Sequence, residues 1–164
     1  MAPFVLFPDP RLHEAAAPRP VDARMRAAGA ALQAAAAGAE AYGLAAAHIG
    51  FIEPLVVVSL AGQGGARDYR VLFNPRVLTQ SDALVVGPEG SVSMPGIEVP
   101  IARADWVELG FETEAGVPET LRLEDFAARV AQHEIDQMNG VFFLSRLSRL
   151  KRDTVIRKFH KSQR

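Results

Sequence analysis

The sequence predicts an α+β fold, and three observations predict it. Short β-branched or alternating runs fill residues 55 to 123, a helical pattern precedes them and two follow, and no regular strand–helix–strand alternation is present to build a parallel sheet.

The elements follow in order. An apolar segment, Phe4 to Phe7, is cut by the turn signal Pro8-Asp9-Pro10. Asp22 is suited to cap a helix running to about Ala39, with Met25, Ala28, Leu32, Ala35 and Ala36 on one face. Its alanines favour helix but supply little bulk. A low-complexity linker is the bland alternative, against which Met25 and Leu32 keep the helical period. Leu55 to Leu60 is a β-branched run, and the Gly62 to Gly65 cluster turns the chain into a second strand, Tyr69 to Phe73. Further strands are expected at Ala83 to Val86, Ile97 to Ala102, Trp106 to Thr113 and Leu121 to Leu123. In the third of these, Val107, Leu109, Phe111 and Thr113 alternate with Glu108, Gly110 and Glu112, one face buried and one wet. Asp125 then starts a central helix whose inward stripe is Phe126, Val130, His133 and Gln137, and Gly140 stops it. A last helix is expected from roughly Asp153 to His160.

A chain of 164 residues fits one domain, 1–164, with a core that needs no staples. Cysteine is absent, which excludes disulfides, a thiolate nucleophile and thiolate metal sites. The N-terminus lacks the basic region of a signal peptide, and no apolar run approaches a membrane span, so the cytoplasm is the expected location. The net charge of −1 is unevenly spread. Residues 145–164 carry eight Lys and Arg against Asp153 alone, leaving ten basic and 18 acidic residues elsewhere. Such a basic tail meets a polyanion or is simply a solvated helix end.

The chemistry concentrates in Gln132 to Gly140, QHEIDQMNG. In an HExxH pattern two imidazoles one helical turn apart grip a metal ion while the Glu takes a proton from its bound water. Here Gln137 stands where the second imidazole belongs, and a lone His on an apolar helix face is more often a hydrogen-bonded core residue.

Three motifs in order change the weight of that observation: AYGLAAAHIG from Ala41, EGSVS from Glu89 and QHEIDQ from Gln132, after a PDPRL opening. With them the chain resembles the peptide deformylases over nearly its whole length. The resemblance implies an α+β fold of antiparallel or mixed sheets around a central helix, here carrying HExxQ, with a C-terminal helix. It also implies hydrolysis of the formyl group from formylmethionyl peptides at one divalent ion, Fe, Zn or Ni. By that resemblance His133 is the retained metal ligand, and Ser91 and Gln137 occupy the other two ligand positions, in place of Cys and His. Glu134 is the general base, the Val92 N–H an oxyanion donor, and His48 stands where the oxyanion-stabilising Gln belongs. Tyr42, Gly43, Leu44, Gly90, Phe126 and Val130 line the substrate cleft, where Tyr42 and Arg129 replace aliphatic residues and narrow or alter the pocket, Arg129 being harmless if it is directed to the surface. Glu89 pairs with Arg103 as scaffold.

The departures fall on the ion. A serine hydroxyl does not ionise near neutrality, and an amide oxygen is a weak ligand beside imidazole. Without the ion, water stays far too weak an acid to supply hydroxide near neutrality, where a metal-bound water has a pKa of about 7. The expectation is therefore a protein with no metal or a weakly bound one and little or no deformylase activity, with nascent peptide N-termini as partners and the ribosome docked through the tail, but neither membrane nor DNA. The alternative is an active amide hydrolase with a rearranged site built from His48, His133 and Glu134. A His48 hydrogen-bonded to Ser91 or Glu134 is the simpler expectation.

Overall fold

The computed structural model describes residues 3–164. Met1 and Ala2, which open the stretch read as lacking a signal peptide, lie outside them. The helices are α1 (Ala23–Ala39), α2 (Asp125–Met138) and α3 (Arg149–Ser162). The strands are β1 (Gly43–Ala45), β2 (Leu55–Ser59), β3 (Tyr69–Gln80), β4 (Leu84–Glu89), β5 (Val99–Ala104), β6 (Trp106–Glu112) and β7 (Pro118–Glu124). Antiparallel pairing gives a five-stranded sheet ordered β1-β2-β3-β6-β7 and a separate hairpin sheet of β4 and β5.

β2 explains the sandwich. All five of its residues are buried, because Val56 and Val58 pack with α2 on one face while Leu55 and Val57 pack with α1 on the other. Successive side chains of a strand point to opposite faces, so a strand covered on both sides is a nearly continuous apolar run, here Leu55 to Val58. α1 forms as its sequence requires. The Asp22 side chain accepts the Met25 N–H at 2.8 Å, and Met25, Ala28, Leu32, Ala35 and Ala36 are buried. The small side chains suit a close approach to the sheet, where a Cβ on Gly29 would already meet Phe73 and Val71 at 3.1 Å.

α2 lies across the opposite face. It starts at Asp125, and beyond its end Gly140 takes φ +77°, where a side chain would strike the His13 carbonyl oxygen at 2.7 Å. That contact draws the N-terminal segment onto the helix end, where the Ala16 N–H donates to the Met138 oxygen. A third apolar cluster joins Phe142, Phe143 and Leu144 to the β5 side chains Val99 and Ile101 and to Phe159 of α3.

Several boundaries differ from those expected. β1 went unforeseen because Gly-Leu-Ala has no strand signature; it exists by pairing with β2. β3 continues past Phe73 to Gln80, its register slipping between Phe73 and Arg76 where Pro75 interrupts the ladder. The strand expected to end at Val86 runs to Glu89, and those expected at 97–102 and 121–123 occupy 99–104 and 118–124. α3 begins one turn earlier than Asp153, because Ser148 caps it through the Lys151 N–H. Among the described residues no helix is long and apolar enough to cross a membrane.

Candidate active site

One cleft of about 460 Å³ brings most of the expected residues together. Tyr42, Gly43, Leu44 and His48 line it from β1 and the turn that follows; Glu89, Gly90, Ser91 and Val92 come from the end of β4 and beyond; Phe126, Arg129, Val130, His133 and Glu134 come from α2. Gly43 makes the assembly possible, since a Cβ there would lie 2.6 Å from Val130 Cγ1 and 3.0 Å from Glu134 Cγ. Gly90 is equally constrained, with the Ile97 carbonyl oxygen 2.9 Å from where its Cβ would be.

Glu89 is the anchor of the deep end. Its carboxylate accepts Arg103 Nε and Nη2 at 2.8 and 2.9 Å, Arg129 Nη1 at 2.8 Å and His133 Nδ1 at 2.8 Å. Burial alone would raise this carboxyl, but hydrogen bonds and charge from Arg103 and His133 outweigh it and bring it down to about 2. The ionised Glu89 fixes His133 with its proton on Nδ1, which leaves Nε2 as the atom with a lone pair when the ring is neutral. Burial opposes protonation of His133, yet the neighbouring charges of Glu134 and Glu89 carry its pKa above the ordinary value.

Arg129 is not directed to the surface. It is buried, and besides Glu89 it donates to the carbonyls of Ile101 (2.8 Å) and Val85 (2.7 Å), tying α2 to both strands of the hairpin. Its guanidinium fills the space a side chain on Gly87 would need, 3.0 Å away. No sequence pattern announced this role. Tyr42, also expected to reshape the pocket, meets Phe126 edge to face with centroids 4.7 Å apart. The Arg67 guanidinium covers the Tyr42 ring at 3.8 Å, and its hydroxyl accepts the Gly64 N–H at 3.0 Å. The Gly62–Gly65 turn is thereby held at the cleft, with Gln63 in its lining.

Three expected positions differ from simple carry-over. Gln137 is 1% exposed but is absent from the cleft lining; its Nε2 donates to the Leu12 carbonyl at 2.7 Å. Ser91 lines the cleft, with its Oγ accepting the Ser93 N–H at 3.1 Å in a local turn. His48 is bonded neither to Ser91 nor to Glu134: its Nδ1 accepts the Ala45 N–H at 2.9 Å. The 3.7 Å approach of His48 Nδ1 to Glu134 Oε1 is no ion pair, because burial, reinforced by the charge of His133, holds His48 down at about 3 and keeps it neutral. Burial pushes Glu134 the other way, up to about 7, against the lowering pull of His133. Nε2 of His48 and Oε1 of Glu134 are both buried without a hydrogen-bond partner among the described residues.

The family model for polypeptide deformylase matches residues 1–153. The chain belongs to the polypeptide deformylase family. A peptide deformylase-like protein of Bradyrhizobium diazoefficiens is 38% identical over 165 residues, covering 99% of this chain and 94% of the relative. The peptide deformylase of Rhizobium meliloti is 32% identical over 161 residues, covering 98% and 92%. The crystal structure of the peptide deformylase from Ehrlichia chaffeensis superposes with a TM-score of 0.88 at 28% identity, covering 98% of this chain and 95% of that one. The fold is thus the deformylase fold, a hydrolase scaffold in a family whose chemistry depends on a metal ion.

Proposed function

We propose that this family member has lost most or all deformylase activity and keeps the cleft as a binding site for peptide amino termini. The observation that carries the reading is the state of the three positions at which the family's ligands stand. Only His133 offers a suitably oriented imidazole. Ser91 offers a neutral hydroxyl already used by the Ser93 N–H, and Gln137, held by its Nε2 on the Leu12 carbonyl and absent from the cleft lining, offers only a neutral amide oxygen. This donor set does not fit a tightly held Fe(II), Zn(II) or Ni(II), and a weakly bound ion or none is expected. A complete structural zinc site contributes about 10–16 kcal/mol, most of which one retained imidazole cannot supply.

The pattern of relatives supports the same reading. In Rhizobium meliloti both a deformylase and a deformylase-like protein match this chain, the first at 32% identity and the second at 39% over 122 residues. The geometry of His48 weighs against the rearranged site. With Nδ1 accepting from Ala45, the neutral ring carries its proton on Nε2, which therefore has no lone pair for a metal.

Peptide binding rests on the open edge of β1. Among the described residues, that strand pairs only with β2, and its Gly43 lies in the cleft lining, so an extended peptide can add a strand there. The C-terminal helix adds a second contact in this reading: α3 docks through Phe159 and leaves Arg149, Lys151, Arg157, Lys158 and Lys161 exposed to meet ribosomal RNA phosphates. The setting is the cytoplasm. The test is hydrolysis of formyl-Met-Ala by protein purified anaerobically and supplied with Fe(II) or Ni(II). Negligible turnover is expected; turnover that is abolished by Glu134→Ala overturns the reading.

A further inference from the structure

The deep end of the cleft holds a buried donor and a buried acceptor that nothing among the described residues satisfies. His48 is 1% exposed and Glu134 5% exposed, both line the cleft, and His48 Nε2 and Glu134 Oε1 have no hydrogen-bond partner among the described residues. Buried polar atoms in folded proteins are almost always paired, so an unpaired pair sharing one cleft marks a ligand position. Their chemistry is defined. The Ala45 N–H occupies Nδ1 of His48, so Nε2 is a neutral N–H donor. Glu134 has no Arg or Lys partner among the described residues, because Arg103 and Arg129 both bind Glu89 and Arg103 also binds Asp136 at 2.6 Å.

The backbone beside them is also open. The Ser59 N–H donates to the Tyr42 carbonyl, so in the antiparallel ladder the next residue, Gly43, turns its N–H and C=O away from β2. Ala45, two residues on, likewise turns its N–H outward, to His48. At the cleft rim stands a further carboxylate, the exposed Glu98, also without an ion-pair partner among the described residues.

We propose that the cleft selects an unformylated, cationic peptide amino terminus over a formylated one. The α-ammonium sits on Glu134, the first carbonyl accepts from His48 Nε2–H, and the chain runs along Gly43 as an added strand past Glu98. A formylated terminus presents a neutral amide N–H to Glu134, whereas an ammonium presents a charge. Both donate to the carboxylate, but only the ammonium adds the attraction of opposite charges, which a buried site screens less than water does. This selectivity rests on the reading that the cleft binds amino termini without hydrolysing them.

The experiment is calorimetric titration of the full chain at pH 7.5, in the presence of chelator, with Met-Ala-Lys and formyl-Met-Ala-Lys, each with an amidated C-terminus. The free-amine peptide is expected to bind about tenfold more tightly, and Glu134→Gln is expected to abolish that preference. His48→Ala is expected to weaken both peptides together. Equal or tighter binding of the formylated peptide, or a preference that survives Glu134→Gln, overturns the selectivity and leaves the binding reading standing. Absence of binding by either peptide overturns both. Hydrolysis of the formylated peptide by metal-supplied protein in a separate assay removes the premise instead.

Discussion

Glu134 is the residue where stability and site chemistry pull apart. Its folded pKa of about 7 lies above the ordinary 4.5 because burial penalises the charged form. A raised folded pKa means that the protonated carboxyl favours folding. The contribution is fully present below about pH 4.5 and is lost as pH rises through about 7. Glu134→Gln, which stays neutral, is therefore expected to stabilise the metal-free protein by about 2 to 3 kcal/mol at pH 8 and by almost nothing at pH 4. Thermal unfolding of both proteins across that range checks it; a difference that does not grow with pH contradicts the account. Restoring both ligand types, Ser91→Cys with Gln137→His, tests the neighbouring positions. The double variant is expected to gain metal affinity by at least a hundredfold, about 2.7 kcal/mol, measured by Co(II) titration. No gain would mean that the divergence extends beyond the ligands.

At the scale of elements, the cleft exists because α2 lies directly on β1, and Gly43 is the contact that permits it. Gly43→Ala places a methyl 2.6 Å from Val130 Cγ1 and 3.0 Å from the Val57 carbonyl oxygen. The expected cost is about 1 to 3 kcal/mol together with loss of peptide binding, read by denaturant unfolding and titration. An unchanged midpoint contradicts it. Much at this scale is legible in the sequence. The β2 run is apolar from Leu55 to Val58 because two helices cover it, the α1 cap follows from Asp22, and the alternation in β6 matches its buried Val107, Leu109 and Phe111. β1 and the extended end of β3 are not legible, because pairing with a neighbour rather than local propensity creates them. The site divides the same way. His133, Glu134, Ser91 and His48 meet in the cleft as their motifs indicate, whereas the turn of Gln137 toward Leu12, the Ala45 contact of His48 and the burial of Arg129 under Gly87 depend on distant backbone that no local spacing encodes.

At the scale of the whole molecule, the basic helix is seated on the same apolar cluster that packs the hairpin sheet. Phe159 is 2% exposed, and Phe7, whose centroid is 6.2 Å from it, stacks on Phe142. Phe159→Ala is expected to cost about 3 to 5 kcal/mol or to release α3 from the body. Limited proteolysis near residue 148 distinguishes the two, and a fully protected tail in a protein of unchanged stability contradicts the packing account. With the helix seated, the positive surface of the tail projects from an otherwise acidic chain, and ribosome binding is expected to weaken steeply as salt rises.

The central claim is that the deformylase scaffold persists while its hold on a metal ion does not. Anaerobic calorimetric titration of the unaltered chain with Ni(II) or Fe(II) tests it most directly. No stoichiometric binding is expected in the micromolar range, and one equivalent bound with nanomolar affinity would contradict the loss of the metal site.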